Sequence, residues 1–545
     1  MEILEFIKKT ASAFSKAIES NKQIALFCHY DADGLSSVAL FAKVLKALNK
    51  KFFIRVLNSL DESIVKEIKQ ESKNFSAAVF LDLASNADFS GFECDVFVID
   101  HHIIRKQSQE ESQEQEEQER QDWQDVQDWQ DGKDVQVQEE EREGQPGAKQ
   151  EQDWQEQESQ EQRKRVHLIN YRLFQDSEDY ETSASILSYF FVSSLDFVHK
   201  SHSHKSLELK QLKPIALIGL IGDGLDRRLS KLSSFFLKKA RESGAIDIKK
   251  GISIFSYSRP IHRAIEFSSI YIPGITGNSE AVVEFLRSLG IELKEGNKYR
   301  TFADLSKEEI SRLITAIATL RAYENKGIDF IGNVYLARFF DTVEDAKEIT
   351  TAINACGRLG KGYLPLAYLL GNKRAQELIE KTYAEYKFEI MKAFEYINEI
   401  QQNETNQENE INEKGEMNER NQIIKNRIIK GDNWIIIDGH DKIKDSIIGV
   451  ICSMIANSGI YKDGSVIVGL ADRHDGDEVK TKVSIRTVNS PKALALLNKV
   501  AQVVNISEMG GHEMAAGAWL DIRQKGAFLK CIEKILQEES VTIKI

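Results

Sequence analysis

Cysteine is scarce in this sequence, with five residues among 545. The count is odd and no two cysteines stand at Cys-x-x-Cys spacing, which argues against a disulfide framework and against a zinc site built from thiolates. The sequence also lacks any run of about 18 apolar residues that could cross a membrane. Residues 1–10 lack the basic-then-apolar layout of a secretory signal. We therefore expect a cytoplasmic protein with no membrane partner.

The excess of negative charge is concentrated in one segment. The chain has a formal net charge of −13, and residues 105–165 alone contain 20 acidic and 9 basic residues, which leaves the remainder close to neutral. A local basic groove is therefore compatible with the sequence. Because residues 105–165 are dominated by Gln and Glu and repeat the triplet Asp-Trp-Gln, we predict a low-complexity insert there. It is either a partner-docking segment or an expansion without a role.

Hydrophobic patterning predicts an α/β protein. Short apolar runs alternate with helical patterns on both sides of the insert, which indicates a parallel sheet in residues 1–104 and 166–245. Residues 246–400 form a mostly helical middle region in this prediction, and residues 401–424 a polar linker or exposed helix. Residues 425–545 are expected to form a separate C-terminal α/β domain with a closing helix.

Acidic and histidine residues follow several of the predicted apolar elements. Asp31 and Asp33 follow the first strand, Asp82 follows a later one, the triplet beginning at Asp100 follows the next, and Asp223 follows an apolar helix. Ligand sites in open parallel sheets lie beyond the carboxyl ends of the strands. Each aspartate taken alone is more readily a helix N-cap, but together such carboxylates would repel one another unless cations bind them.

Oxygen and imidazole ligands suit Mn²⁺ or Mg²⁺. Two such ions about 4 Å apart can activate a water and stabilise the attacking and leaving oxygens at a phosphorus centre. We therefore predict a site for two divalent cations, Mn²⁺ or Mg²⁺, at this edge of the sheet.

The order of these motifs resembles the DHH phosphoesterase superfamily. The motifs are His-Tyr-Asp-Ala-Asp-Gly at 29–34, Leu-Asp-Leu at 81–83, Asp-His-His at 100–102 and Gly-Asp at 222–223. The resemblance implies that the metal ligands are Asp31, Asp33, Asp82, Asp100, His101 and Asp223. It implies that His102 acts beside Asp100 and His101 as a catalytic or substrate-contacting group. His29 matches a ligand position in some relatives, although its spacing to Asp31 is shorter than in the family II pyrophosphatases.

Later motifs narrow the resemblance. Residues 510–517 (Gly-Gly-His-Glu-Met-Ala-Ala-Gly) are similar to the Gly-Gly-His motif of the associated DHHA1 domain. Residues 259–264, 271–275 and 354–360 resemble the archaeal RecJ-like exonucleases, a group that includes the GINS-associated nuclease and is related to the inactive RecJ-like subunit of the eukaryotic replicative helicase. The resemblance implies hydrolysis of single-stranded DNA or RNA from an end, in replication or repair, and docking onto the GINS replication complex.

Several residues could hold the phosphates of a strand. Gly510 and Gly511 would let backbone N–H groups approach a phosphate closely, and His512 could donate a hydrogen bond to it. The residues that follow, 515–517, suit a helix start. Arg486 on a predicted strand and Arg358 in a loop-like context are candidate phosphate clamps, the alternative for each being a solvated arginine.

Two other functions remain open at this stage. One is a phosphodiesterase acting on short oligonucleotides or cyclic dinucleotides with the same metal site. The other is a non-catalytic replisome scaffold, which should have lost some of the ligands, whereas all of them are present here. The sequence leaves open DNA or RNA preference, the polarity of digestion and the physiological metal.

Overall fold

The computed structural model describes most of the chain in two compact units. The described residues are 1–104, 166–195, 209–252, 257, 259–266, 272, 274–275, 278–322, 331–340, 342–414, 427–458, 460–476, 478–506 and 508–542. Unit 1 consists of Met1–Asp247 with Ala337–Thr342 and Leu369–Gly371, and unit 2 consists of Ile248–Leu336, Val343–Tyr368 and Asn372–Ile545. The predicted insert at 105–165 and the part of the predicted linker after 414 lie outside the described residues.

Unit 1 is built on a five-stranded sheet in the order β2-β1-β3-β4-β5. All four strand pairs are parallel. The strands are the apolar runs of the sequence, and the central ones are buried along almost their whole length, as expected for a parallel sheet covered on both faces. Their bounds are β1 Gln23–His29, β2 Phe52–Leu57, β3 Phe75–Leu81, β4 Asp95–Ile99 and β5 Val166–Ile169.

Helices cover this sheet, and the aromatic residues between them form much of the core. Phe14 lies within 5.8 Å of the rings of Phe41, Phe97 and Phe191, measured between ring centroids. These contacts join the first helix, the long second helix, a strand and a later helix. The helices of unit 1 are α1 Glu2–Ala17, α2 Ala32–Ala47, α3 Glu62–Glu71, α4 Ser177–Tyr180, α5 Ala184–Ser193, α6 Lys213–Gly222 and α7 Lys231–Glu242.

The middle region of the chain, residues 246–414, is mostly helical, as predicted. Its apolar core includes Ile261, Leu286, Phe302 and Leu313. The helices are accompanied by a three-stranded sheet in the order β10-β9-β6 and by a hairpin, β7-β8, whose strands have two residues each. The strands are β6 Ile246–Ile252, β7 Lys294–Glu295, β8 Lys298–Tyr299, β9 Ile331–Phe339 and β10 Thr342–Asp345, and the helices are α8 Ile261–Glu266, α9 Ser279–Ser288, α10 Lys307–Ala322, α11 Ala346–Arg358, α12 Tyr363–Leu369 and α13 Ala375–Lys414.

The C-terminal part of unit 2 contains a six-stranded mixed sheet in the order β11-β12-β13-β14-β16-β15. Only β12 and β13 pair in parallel; the other pairs are antiparallel. The strands are β11 Ile428–Lys430, β12 Trp434–Asp438, β13 Val466–Asp475, β14 Glu478–Thr487, β15 Glu508–His512 and β16 Ala515–Asp521. The helices are α14 Asp445–Asn457, α15 Ala493–Ala501 and the closing α16 Lys525–Thr542.

The structure confirms the predicted fold class, an α/β protein with an N-terminal parallel sheet, a largely helical middle and a C-terminal α/β domain. The prediction of a helix start at residues 515–517 is wrong. These residues begin strand β16, because they are paired with β14 on one side and β15 on the other. Among the described residues, no helix combines the length and apolar character that crossing a membrane requires.

Candidate metal centre

The carboxyl ends of the parallel strands carry the polar residues of the centre. Asp31 lies two residues after β1, Asp82 follows β3 directly and Asp100 follows β4 directly. Asn170 stands in the same place after β5. Because parallel strands all end at one edge of the sheet, these side chains meet there, as the sequence predicted for the three aspartates.

Seven of the predicted residues form three groups of potential metal ligands. Within each group the ligand atoms lie within 4.8 Å of one another. The groups are His29 with Asp31 and Asp82, Asp33 with His101 and Asp223, and Asp82 with His101 and His102. Asp82 thus belongs to two groups, and His101 lies close to both Asp82 and Asp223. Two cation positions that share Asp82 fit this arrangement.

Asp82 shows most clearly that the donor set suits a cation. Its side chain is almost completely buried, 2% of the residue being exposed, yet neither carboxylate oxygen accepts a hydrogen bond from the residues that the structure describes. One oxygen lies 3.5 Å from His29 Nδ1 and the other lies 3.3 Å from His101 Nε2. The backbone of Asp82 is left-handed, with φ 61°, a conformation that costs free energy in a residue other than glycine. Burying a carboxylate without hydrogen bonds is costly unless a cation binds it.

Asp31 and Asp33 are held by the N-termini of two helices. Asp31 Oδ1 accepts hydrogen bonds from the N–H groups of Asp33 (3.1 Å) and Gly34 (3.0 Å) in the first turn of α2. The buried carboxylate of Asp33 accepts hydrogen bonds from the N–H groups of Ala184 (2.7 Å) and Ser185 (2.9 Å) at the start of α5. Helix N-termini favour negative charge, so both carboxylates are fixed in place while oxygen lone pairs remain for a cation.

Asp223 reaches the centre from the end of α6. This helix approaches Asp33 closely at Gly219, where an added Cβ would lie 2.1 Å from Asp33 Oδ1 and 2.2 Å from Ser185 Oγ. Only glycine permits that approach. With the helix in this position, Asp223 Oδ2 lies 3.5 Å from His101 Nε2. Asp223 Oδ2 is buried and accepts no hydrogen bond from a described residue, so it is a second candidate ligand atom.

Asp100 is engaged differently from the other carboxylates. Its Oδ1 accepts hydrogen bonds from the N–H groups of His101 (2.8 Å) and His102 (3.3 Å) and lies 2.7 Å from His102 Nδ1. Its Oδ2 accepts a hydrogen bond from the N–H of Ser85 (2.9 Å). None of the three groups of potential ligands contains Asp100. The geometry therefore fits a residue that orients His102, and the predicted role of Asp100 as a metal ligand stays a prediction.

The sequence interpretation overlooked Asn170, which ties the centre together. The buried side chain of Asn170 donates to Ser85 Oγ (3.0 Å) and to the carbonyl oxygen of His102 (2.9 Å), and accepts from the N–H of Arg172 (3.0 Å). It thereby links the loop after β4 to Ser85, the hydrogen-bond partner of Asp100. The signal that revealed the aspartates, a polar residue directly after an apolar run, also applies to Asn170.

Replacing Asn170 with alanine should weaken the centre without unfolding the protein. Outer residues that orient metal ligands typically contribute about 10- to 100-fold in metal affinity or activity. We expect a loss of that size in Mn²⁺ affinity, measured by isothermal titration calorimetry. Asn86→Ala is the matched control, because Asn86 Nδ2 also donates to this loop, at the carbonyl oxygen of Ile103, but in an exposed position where water can replace it. An equal effect of the two substitutions would contradict the assigned role of Asn170.

Without a bound metal, the electrostatics of the centre raise the pKa values of several candidate ligands and so favour their protonated forms. Burial and the nearby charge of Asp82 raise the pKa of Asp33 to about 6. Burial and the charge of Asp33 raise the pKa of Asp223 well above its usual range. Burial alone would lower the pKa of His101, but the carboxylates of Asp223 and Asp82 raise it well above the ordinary value. The pKa of His29 is raised in the same way by Asp31 and Asp82.

Mn²⁺ affinity should therefore increase with pH. Metal ligands must lose their protons before they bind, and the raised pKa values place that loss near and above pH 6. Calorimetric titrations at pH 6 and pH 8 should show tighter binding at pH 8. Repeating them in buffers of different ionisation enthalpy should show release of protons on binding. An affinity that does not change between these pH values, with no proton release, would contradict the prediction.

The predicted phosphate-holding residues lie in unit 2, and the structure brings two of them together. Arg486, on β14, donates from Nε to Ser453 Oγ (2.9 Å) and from Nη1 to the carbonyl oxygens of Ile485 (2.8 Å) and Ala516 (3.3 Å). Burial lowers the pKa of Arg486, and the neighbouring charge of Arg358 lowers it further. In the described part of the chain, neither arginine has a carboxylate within 4.0 Å, so two half-buried guanidinium groups lie near each other without a counterion.

The positions of the other candidates refine the prediction. Arg358 is not in a loop but is the last residue of α11, where its Nη1 donates to Tyr386 Oη (3.1 Å). Gly510, Gly511 and His512 lie in β15, and His512 occupies the register position beside Ala515, which is itself beside Arg486. The side chain of His512 lies outside the described part of the structure.

Two stretches of the chain match known domain families. Residues 256–329 match the DHH-CID domain and residues 432–538 match the DHHA1 domain. Neither stretch includes the metal centre. A full-length relative, an uncharacterized protein of Methanocaldococcus jannaschii, is 22% identical over 99% of this chain and 99% of its own length.

Solved structures share the fold over nearly the whole chain. The structure of CDC45 from Entamoeba histolytica has a TM-score of 0.56 at 9% identity, covering 97% of this chain and 99% of that one. RecJ from Thermus thermophilus, in complex with Mn²⁺, has a TM-score of 0.51 at 13% identity, covering 98% of this chain. The present chain spans 55% of that RecJ chain, about half its length. These likenesses show that the chain shares a fold with CDC45 and RecJ, and two of its stretches are similar to the DHH-CID and DHHA1 domains.

Proposed function

We propose that this protein is a metal-dependent phosphoesterase that hydrolyses phosphodiester bonds of single-stranded nucleic acid from an end. The observation that carries the proposal is Asp82, a buried carboxylate whose two oxygens accept no hydrogen bond from the described residues and face histidines on opposite sides. A fold shared with RecJ in complex with Mn²⁺ supports the choice of Mn²⁺ or Mg²⁺.

The candidate ligands divide into two sets, and each set would bind one cation. His29, Asp31 and Asp82 would hold one, while Asp33, His101 and Asp223 would hold the other with Asp82 shared between them. Bound there, two divalent ions would supply a reactive water at neutral pH and offset the negative charge that develops on the phosphate oxygens. The chain's own contribution is to fix these ligands before metal or substrate arrives, through the helix N-termini and the close approach at Gly219.

His102 is proposed to serve the reacting phosphate directly. Its side chain is 43% exposed, which makes it accessible to a substrate. Burial acts to lower the pKa of His102, but the hydrogen bond to Asp100 and the charge of that carboxylate raise it above its ordinary value, which favours the protonated imidazole. That proton can pass to the oxygen that leaves phosphorus when a water molecule adds and the phosphodiester bond breaks.

Arg358 and Arg486 of unit 2, whose charges no nearby described carboxylate neutralises, could bind a phosphate of the strand. Arg486 is fixed by three hydrogen bonds, and Arg358 by one to Tyr386. A phosphate oxygen can accept charge-assisted hydrogen bonds from such preorganised guanidinium groups. We propose that this pair, with the backbone of Gly510 and Gly511 and with His512, holds the strand.

Digestion of end-labelled strands tests this function. Single-stranded DNA and RNA labelled at the 5′ or 3′ end would be incubated with Mn²⁺ and wild type or the Asp82→Asn variant. We expect wild type to release labelled product from one end, and the variant to release almost none. A dinucleotide is tested in parallel with the long strands. A phosphodiesterase for short oligonucleotides, the alternative function, would hydrolyse the dinucleotide faster than a long strand. No release from any strand by wild type would refute the proposal.

A non-catalytic scaffold is the second candidate, and the fold shared with CDC45 is the observation in its favour. The intact set of ligands around Asp82 argues against it, because a scaffold has no need for buried carboxylates without hydrogen bonds. Docking onto GINS is compatible with either function and remains a prediction. Co-purification of the full chain with GINS, in the absence of hydrolysis, would favour the scaffold.

A further inference from the structure

We propose that Arg172 binds the two non-bridging oxygens of the phosphodiester one linkage inward from the bond being cleaved. This inference rests on the proposed function and deepens it, because it assigns to the metal centre a contact that distinguishes a strand from a single phosphodiester. No motif singled out in the sequence includes Arg172, and neither matched domain family covers it.

The structure fixes Arg172 beside the centre at three points. It lies in the short 3₁₀ turn Tyr171–Leu173 that follows Asn170, whose Oδ1 accepts the N–H of Arg172 (3.0 Å). Nε of Arg172 donates to the carbonyl oxygen of His101 at 3.1 Å. The guanidinium carbon lies 5.0 Å from the ring centroid of Tyr171, which is buried with 4% exposed. The cation is therefore held against the loop that carries a metal-ligand histidine.

The remaining donors of Arg172 are available to a ligand. Its Nη1 and Nη2 have no hydrogen-bond partner in the described part of the chain, and no described carboxylate lies within 4.0 Å of them. Two other arginines of the chain are paired instead: Arg55 with Glu67 and Arg523 with Asp521, each through two hydrogen bonds. An arginine that is anchored through Nε and exposes its two Nη groups has the geometry that binds two phosphate oxygens.

The charge of the centre explains why such a cation is needed. Asp31, Asp33, Asp82 and Asp223 carry four negative charges when ionised, which two divalent ions balance. The loaded centre then has no surplus of positive charge to attract a second phosphate of the strand. A fixed cation next to His101 supplies that attraction where the chain of the substrate continues, and it would favour polyanionic strands over isolated phosphodiesters.

A thermodynamic cycle tests the contact: wild type and a variant protein are each assayed on a native and on a modified oligonucleotide. Two oligonucleotides differ only in the linkage next to the terminal one, which is a phosphodiester in the first and a neutral methylphosphonate in the second. We expect wild type to cleave the terminal bond of the neutral oligonucleotide about 10- to 100-fold less efficiently, measured as kcat/KM. Arg172→Gln should show that loss already on the native oligonucleotide and little further loss on the neutral one.

Controls separate this contact from a structural role and from failure of the proposed function. Mn²⁺ affinity, measured by calorimetry, should be the same in Arg172→Gln and wild type. Arg241→Gln, which removes another exposed arginine of unit 1, should leave both cleavage rates unchanged. If Arg172→Gln loses activity equally on both oligonucleotides, or loses Mn²⁺ affinity, Arg172 only positions the His101 loop and the inference is overturned. If wild type cleaves neither oligonucleotide, the proposed function fails and this inference with it.

Discussion

Replacing Asp82 with asparagine should stabilise the metal-free protein and reduce hydrolysis about a thousandfold, the rate cost of losing several kcal/mol of metal-based stabilisation. The stability gain is expected at a pH above the raised pKa values of His29 and His101, where both imidazoles are neutral and Asp82 is a buried negative charge that accepts no hydrogen bond from the described residues. Asparagine also tolerates the left-handed backbone at this position better than most residues. We expect the melting temperature without metal to rise by about 2–4 °C.

Thermal unfolding and end-labelled digestion, run on the same preparations, measure the two effects. Asp88→Asn is the matched control, because Asp88 lies in the same connection between β3 and β4 but is exposed and accepts hydrogen bonds from Ser90. It should change neither quantity much. If Asp82→Asn lowered the melting temperature of the metal-free protein, Asp82 would be a structural residue and the interpretation of its free oxygens would be wrong.

Replacing Gly511 with alanine should disrupt the hairpin of β15 and β16. Gly511 has φ 140°, and an added Cβ would lie 2.3 Å from the carbonyl oxygen of Ala515 and 2.6 Å from the Cα of Ala516. Backbone strain and overpacking together would cost roughly 3 kcal/mol or more. Since Ala515 pairs with Arg486, the distortion should also reduce binding of a single-stranded oligonucleotide, measured by fluorescence anisotropy.

Gly510 provides a control one residue away. A Cβ added at Gly510 meets no other heavy atom within 4 Å, so Gly510→Ala should retain the stability of wild type. Mn²⁺ binding should be unchanged in both variants, because its ligands lie in unit 1. Tolerance of alanine at position 511, with full stability, would show that the close approach of this backbone to Ala515 is not required.

The sequence could predict that the candidate ligands lie together because the signal for their position is local. Each candidate ligand stands next to an apolar run, and parallel strands must end at one edge, so Asp31, Asp82 and Asp100 could be placed together without coordinates. The pattern could not predict which carboxylates accept hydrogen bonds and which remain available to a cation. Asp82 and Asp100 look alike in the sequence, but one lacks hydrogen bonds from the described chain and the other accepts four.

The errors lie where distant parts of the chain decide the local structure. Ala515 and Ala516 favour a helix by intrinsic propensity, but pairing with strands on both sides imposes a strand, as tertiary context commonly does. The proximity of Arg358 and Arg486 joins residues 128 positions apart in the sequence, which no spacing rule could reveal. Asn170 was within reach of the rule that found the aspartates, but the insert separates it from the other strand ends.

Electron paramagnetic resonance during titration with Mn²⁺ tests most directly the claim that two cations share Asp82. Wild type should bind two ions per chain, and the second should bring the exchange coupling expected of manganese ions joined by a common ligand. Asp82→Asn should lose that coupling. Saturation at one ion per chain, or two ions that remain uncoupled in wild type, would contradict the account of this centre.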